Sequence, residues 1–167
     1  MNKTRELIII VLLSTIITVS KMFLSFLPNI ELVSMFFIIY TLVFKKKAII
    51  IALLFVLVEG LIYGIGLWWF SYAFVWPILV ILTLLFMKIN KENFMLWSIF
   101  SGAFGLIFGA LFAIPYIVLN DVSFAFAYWV KGIPYDLIHM VGNYLIMMLI
   151  GEHIYKLLIK LNVKYTI

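Results

Sequence analysis

The sequence predicts an all-α membrane protein, a bundle of six transmembrane helices with both termini cytoplasmic, and three observations predict it. The first is composition. Of the 167 residues, 67% are hydrophobic and only 11% charged, with a mean hydropathy of +1.26, whereas soluble domains run about 25% charged and about 45–50% apolar. A core cannot hide this excess, because a domain of this size still presents most of its residues to solvent on some face. The second is continuity. The apolar residues come in unbroken blocks rather than ten-residue alternating segments, which argues for helices over a β-barrel. The third is the segregation of positive charge between the two sides that these blocks define.

The first block, 7–27, follows Lys3 and Arg5 and ends at Leu27-Pro28-Asn29. No Ala-x-Ala-like site follows it, so it is expected as an uncleaved first helix rather than a signal peptide. The second, 30–44, is short of the ~20 residues needed to cross the hydrocarbon. It is expected to stop part-way or to sit between neighbours. Lys45-Lys46-Lys47 closes it, and the third block runs over 48–65 into the glycine-rich Gly60-Leu61-Ile62-Tyr63-Gly64-Ile65-Gly66. The fourth, 67–87, stops at the polar run 88–93; the fifth, 94–119, stops at Leu119-Asn120-Asp121; the sixth is 133–158. No repeat, low-complexity tract or linker interrupts residues 1–167, which read as one integral-membrane domain.

Six spans bring alternate loops to one side. Ten of the 12 basic residues, Lys3, Arg5, Lys45, Lys46, Lys47, Lys88, Lys91, Lys156, Lys160 and Lys164, then share the side of the termini, and only Lys21 and Lys131 lie opposite. By the positive-inside rule the crowded side is cytoplasmic, which makes this a multi-pass protein of the cell membrane. The same placement accounts for the net charge of +5 without a nucleic acid partner.

Absences narrow the chemistry. Zero cysteines remove disulfides, thiolate metal sites and cysteine nucleophiles. Two histidines and seven acids leave little for a metal centre, and none is expected. No P-loop, His-Glu-x-x-His, Gly-x-Ser-x-Gly or dinucleotide fingerprint occurs, so no nucleotide site and no enzyme activity are expected of this chain. It is also short for a transporter built from two inverted repeats.

The remaining ionisable residues gather toward the outer half: Lys21 late in the first helix, Glu31 opening the second, Glu59 late in the third, Asp136 and His139 in the sixth. A charge in the membrane costs roughly 2.5–3.5 kcal/mol on insertion scales, so such groups face a cavity or one another. Asp136, His139 and Asn143, spaced i, i+3, i+7, share one helical face. That stripe suits a pocket wall, interhelical hydrogen bonds, an acid/base pair or half a metal site, the last weakened because such sites need three or four ligands. Trp69, Tyr72 and Trp76 form a second stripe, with Tyr63, Trp68, Tyr116, Tyr128 and Trp129 at the same level. Such rings serve either as an interfacial belt or as stacking walls for a flat ligand. Ser101, Gly105, Gly109 and Ala113 recur every four residues in the fifth helix, and Gly60-x-x-x-Gly64 repeats the idea in the third. Small-residue stripes let helices approach closely in lipid, within the bundle or against another membrane subunit.

Three segments carry a resemblance. Pro28-Asn29-Ile30-Glu31-Leu32-Val33-Ser34, Val58-Glu59-Gly60-Leu61-Ile62-Tyr63-Gly64 and Gly132-Ile133-Pro134-Tyr135-Asp136-Leu137-Ile138-His139, in a chain of this length and layout, resemble substrate-binding (S) subunits of energy-coupling factor vitamin transporters. The resemblance implies capture of a vitamin or related ring-bearing micronutrient at the outer face. Delivery would follow by toppling against a transmembrane coupling subunit, with ATP used by two partner ABC ATPases and no cofactor in this chain. It implies a substrate site drawn from Lys21, Asn29, Glu31, Glu59, Tyr63, Trp69, Tyr72, Trp76, Tyr128, Asp136, His139 and Asn143. Where the family often carries Ala-x-x-x-Ala on the first helix for docking, this chain has Ser14-x-x-x-Thr18. The competing expectations are a ligand-free membrane scaffold or morphogenesis protein and a small intramembrane enzyme using Asp136 and His139.

Overall fold

The computed structural model describes residues 3–90 and 92–165, and among these the chain is helical from end to end apart from its turns. The elements are α1 (Lys3–Phe23), α2 (Val33–Phe44), α3 (Ala48–Tyr63), α4 (Leu67–Phe86), α5 (Phe94–Leu119), α6 (Val122–Ile146) and α7 (Glu152–Tyr165). A 3₁₀ turn, Lys45–Lys47, joins α2 to α3, and a π turn, Met147–Gly151, joins α6 to α7. Lys91, one of the basic loop residues, lies outside the described residues.

Among the described residues four helices are long and apolar enough to cross a membrane: Lys3–Phe23, Leu67–Phe86, Phe94–Leu119 and the run Val122–Lys164. Their exposed faces are rows of Leu, Ile, Val and Phe, the inverse of a soluble bundle and the pattern that lipid demands. At 12 and 16 residues, α2 and α3 are shorter. Every residue of α2 from Val33 to Val43 except Phe36 is buried, so this helix faces protein on nearly all sides. Met35, Phe37, Ile38, Ile39 and Tyr40 form the centre of the core, closed by Phe55 of α3, Trp76 and Leu79 of α4, and Trp97 and Phe104 of α5.

Helix ends follow local chemistry. Asn93 caps α5 by accepting from the Leu96 N–H at 3.2 Å, and Asp121 caps α6 by accepting from the Phe124 N–H at 2.7 Å, each satisfying a donor the first turn leaves free. Gly64, at φ +83°, ends α3 in a conformation that glycine adopts without strain. Lys45 takes φ 55° to reverse the chain after α2, and its ammonium donates to the Leu42 carbonyl at 2.7 Å. Partial burial there pulls the Lys45 ammonium below its ordinary range. Pro77, Pro115 and Pro134 sit inside α4, α5 and α6; such prolines persist in membrane helices because neighbours re-satisfy the freed carbonyls.

The sixth block needs correction. Helix begins at Val122 rather than 133 and continues through the π turn to Lys164 as a 43-residue unit, roughly 65 Å at ~1.5 Å per residue. That is about twice the ~30 Å hydrocarbon thickness. The stretch up to Gly132 reads as a loop in sequence, but the Asp121 cap starts the helix earlier and its packing on α5 carries it through Gly132.

The small-residue stripe of α5 lies along this seam. A Cβ on Gly105 would stand 2.8 Å from the carbonyl carbon and oxygen of His139, and one on Gly102 would meet the Met140 carbonyl oxygen at 3.1 Å. A Cβ on Gly109 would run into the Asp136 carboxylate. Ser101 and Ala113 are buried on the same helix. The α5–α6 pair is the most extensive helix contact in the molecule.

Ser14 and Thr18 also require correction as a docking surface. They are 1% and 4% exposed, on the inward face of α1, whose chief partner is α3. The face that α1 turns outward is Leu7, Ile8, Val11, Leu12, Ile16 and Val19. Small residues at i, i+4 serve close packing within the bundle just as they would serve docking, and spacing alone does not separate the two.

Candidate functional site

Two clusters of polar side chains form at the end of the bundle where the 24–32 connector and the α3–α4 turn meet. The first is built around Lys21 in the last turn of α1, where a cation is favoured by the helix dipole. Its ammonium pairs with Oε2 of Glu59, a carboxylate on α3 with no exposed surface. The same ammonium stands over the rings of Tyr63, Tyr72 and Trp68, at 5.0, 5.1 and 5.9 Å from their centroids. Three ring faces and one carboxylate thus replace the water that Lys21 loses.

Glu31 organises the opposite wall. It precedes α2 and accepts the Ser34 backbone N–H at 3.1 and 3.2 Å and the Ser34 hydroxyl at 2.6 Å. It therefore serves a first-turn donor that the Leu32 cap position leaves without a side-chain partner. His139 of α6 reaches the same carboxylate, Nε2 to Oε1, at 3.1 Å. Behind them the amide of Asn143 donates to the Ser34 hydroxyl at 3.1 Å. The chain Asn143–Ser34–Glu31–His139 so ties α2 to α6.

Between the two walls lies a cavity of about 330 Å³, lined by Lys21, Glu31, His139, Tyr63, Tyr72, Trp76, Phe108 and the connector residues around Pro28 and Asn29. Trp76 and Phe108 are 5.5 Å apart between centroids, Tyr72 stands edge-on to Trp76 at 5.3 Å, and Phe108 stands edge-on to the His139 ring at 4.8 Å. The Trp76 indole N–H is buried and has no hydrogen-bond partner. Asn29, in the left-handed region at φ 58°, donates from its side chain to the Tyr135 carbonyl at 3.3 Å and fastens the connector to α6. Asparagine tolerates that conformation better than most residues.

A second cavity, about 650 Å³, adjoins the first and shares Pro28, Asn29 and Phe108 with it. Its other lining residues include Tyr128, Trp129, Lys131, Tyr135 and Asp136. Asp136 accepts the Gly109 backbone N–H at 3.0 Å through Oδ1, while Oδ2 is buried without a partner.

The sequence-derived site therefore divides. Lys21, Asn29, Glu31, Tyr63, Tyr72, Trp76 and His139 line the first cavity, and Tyr128 and Asp136 line the second, also with Asn29. Glu59 and Asn143 brace the first cavity from behind without lining it. Trp69 lies elsewhere: its indole N–H donates to the Val56 carbonyl at 2.8 Å and its ring covers Gly60, locking α4 to α3. Phe108 and Ser34 are the residues that reading the spacing overlooks. One phenylalanine among 16 carries no mark in sequence, but Glu31-x-x-Ser34 ahead of an apolar run is legible as helix-start chemistry. Among the described residues no group of three or more His, Cys, Asp or Glu could hold a metal ion. Compared with family models, with curated proteins and with solved structures, the chain matches none.

Proposed function

We propose that the protein is the substrate-binding membrane subunit of an ECF-type ABC importer, capturing a vitamin or related ring-bearing micronutrient in the 330 Å³ cavity. In this reading the four long helices, with α2 and α3, make six passes, both termini are cytoplasmic, and the cavity opens outward. A transmembrane coupling subunit and two ABC ATPases would complete the machine, and this chain would bind without catalysing. The observation that carries the reading is the cavity itself. Its volume falls within the ~300–1,000 Å³ of small-molecule sites, and it combines aromatic walls with a few convergent polar groups. Docking would use the exposed apolar faces rather than Ser14 and Thr18.

The test is a mild-detergent pull-down of the tagged protein from its native membranes. Recovery of two ABC ATPases with a multi-span partner supports the reading; recovery of the protein without them contradicts it. One observation favours a second reading, a ligand-free membrane scaffold: Lys21 already has Glu59, and Glu31 already has Ser34 and His139. A scaffold would hold cell-wall or division proteins in the same pull-down.

A further inference from the structure

Building on the proposed binding role, we infer that the 330 Å³ cavity selects a small, non-anionic ring compound that presents an N–H-rich or cationic edge to Glu31, and that it rejects phosphorylated or carboxylated relatives. Charge balance and acceptor geometry carry this inference. The single lysine lining the cavity is committed to Glu59 and to three ring faces. Among the described residues Glu31 has no lysine or arginine partner, only Ser34 and the His139 imidazole. With a neutral imidazole the set Lys21, Glu59, Glu31 and His139 sums to one negative charge; with a protonated one it is neutral. In neither state is it positive, so an anion entering the cavity meets no uncompensated cation.

Glu31 also keeps room for a donor. Oε1 is crowded by the Ser34 N–H, the Ser34 hydroxyl and His139, whereas Oε2 accepts only from the Ser34 N–H, at 3.1 Å. A carboxylate oxygen offers about two lone-pair sites, so Oε2 retains one. A charge-assisted bond there is roughly twice as strong as a neutral one. Phe108, half-buried, supplies a face for the ring, with Trp76 packed behind it in the wall. Asp136 next door adds a second carboxylate without an ion-pair partner, whereas Lys131 lies at the exposed part of that second cavity.

Three probes of one size separate the possibilities: benzamidinium, benzamide and benzoate, with charges of plus one, zero and minus one on the same ring. Binding to the full-length protein in detergent is read by native mass spectrometry and by thermal unfolding. The expected order is benzamidinium, then benzamide, then benzoate, with at least a tenfold gap between the first and the last. Glu31→Gln should collapse that gap. Glu59→Gln, which frees Lys21 from its acid, should move benzoate up the order, a gain that a misfolded variant cannot produce. Benzoate binding as tightly as benzamidinium in the native protein overturns the charge selection while leaving a ring-binding cavity. Failure of all three rings to bind overturns both the selection and the binding role on which it rests.

Discussion

The two sides of the polar end hold their buried acids by different means. Glu59, between α1 and α3, is matched by a lysine from another helix and by the rings around that lysine. Asp136, on the α5–α6 seam, has no ion-pair partner among the described residues and is held by the bare backbone of Gly109. The first arrangement depends on a side chain that is present, the second on one that is missing. Removing atoms should therefore break the first, and adding atoms should break the second.

The largest effect is expected at the ion pair. Lys21→Ala leaves Glu59 buried and alone, which should destabilise by about 3–5 kcal/mol, as breaking buried pairs does. Thermal unfolding in detergent measures it. The double variant Lys21→Met with Glu59→Leu should recover most of that stability, because an apolar pair of similar volume is often neutral or better. Recovery would show that the pair is not needed for folding, and a parallel loss of ligand would place it at the site.

On the seam, Gly105→Ala brings a methyl against the His139 backbone, which has no freedom to retreat, and should cost about 1–3 kcal/mol. Gly109→Ala pushes instead on the Asp136 carboxylate, a side chain that can rotate away, so its stability cost should be smaller while the second cavity changes shape. Gly132→Ala on α6 meets open space and should be neutral or stabilising by up to ~1 kcal/mol, since alanine favours helix. Equal effects at Gly105 and Gly132 would contradict the packing described for the seam.

The smallest effect belongs to the connector. Asn29→Gly keeps the left-handed backbone and loses only the bond to the Tyr135 carbonyl, for about 0.5–1.5 kcal/mol. Asn29→Ala loses the bond and strains the backbone as well, so it should unfold at a lower temperature than the glycine variant. The reverse order would mean that φ at this position relaxes freely.

The helices were legible because apolar length and charged breaks are strong, local signals. Lys45-Lys46-Lys47, residues 88–90, 92 and 93, and Asn120-Asp121 all fall at turns. Helix from Val122 through Gly132 was not legible, because it depends on packing against α5 rather than on propensity. The polar cluster was legible as a set, since acids in an apolar chain must face inward. Its partition into two cavities was not: Asp136 and His139 share a helical face, yet Phe108 lies at the wall of both spaces. Trp69 and Trp76 show the same limit. They repeat at i, i+7 on α4, but one meets the Val56 carbonyl of α3 and the other lines the cavity. Spacing assigns residues to a face; the identity of the neighbour across that face depends on how the helices pack.

Native mass spectrometry of the protein released gently from its own membranes tests the central claim most directly, by comparing the native chain with Trp76→Ala. The account predicts a small-molecule adduct on the native protein that is lost from a folded Trp76→Ala variant. A bare protein mass in the native sample, or an adduct that persists after the cavity wall is removed, would contradict it.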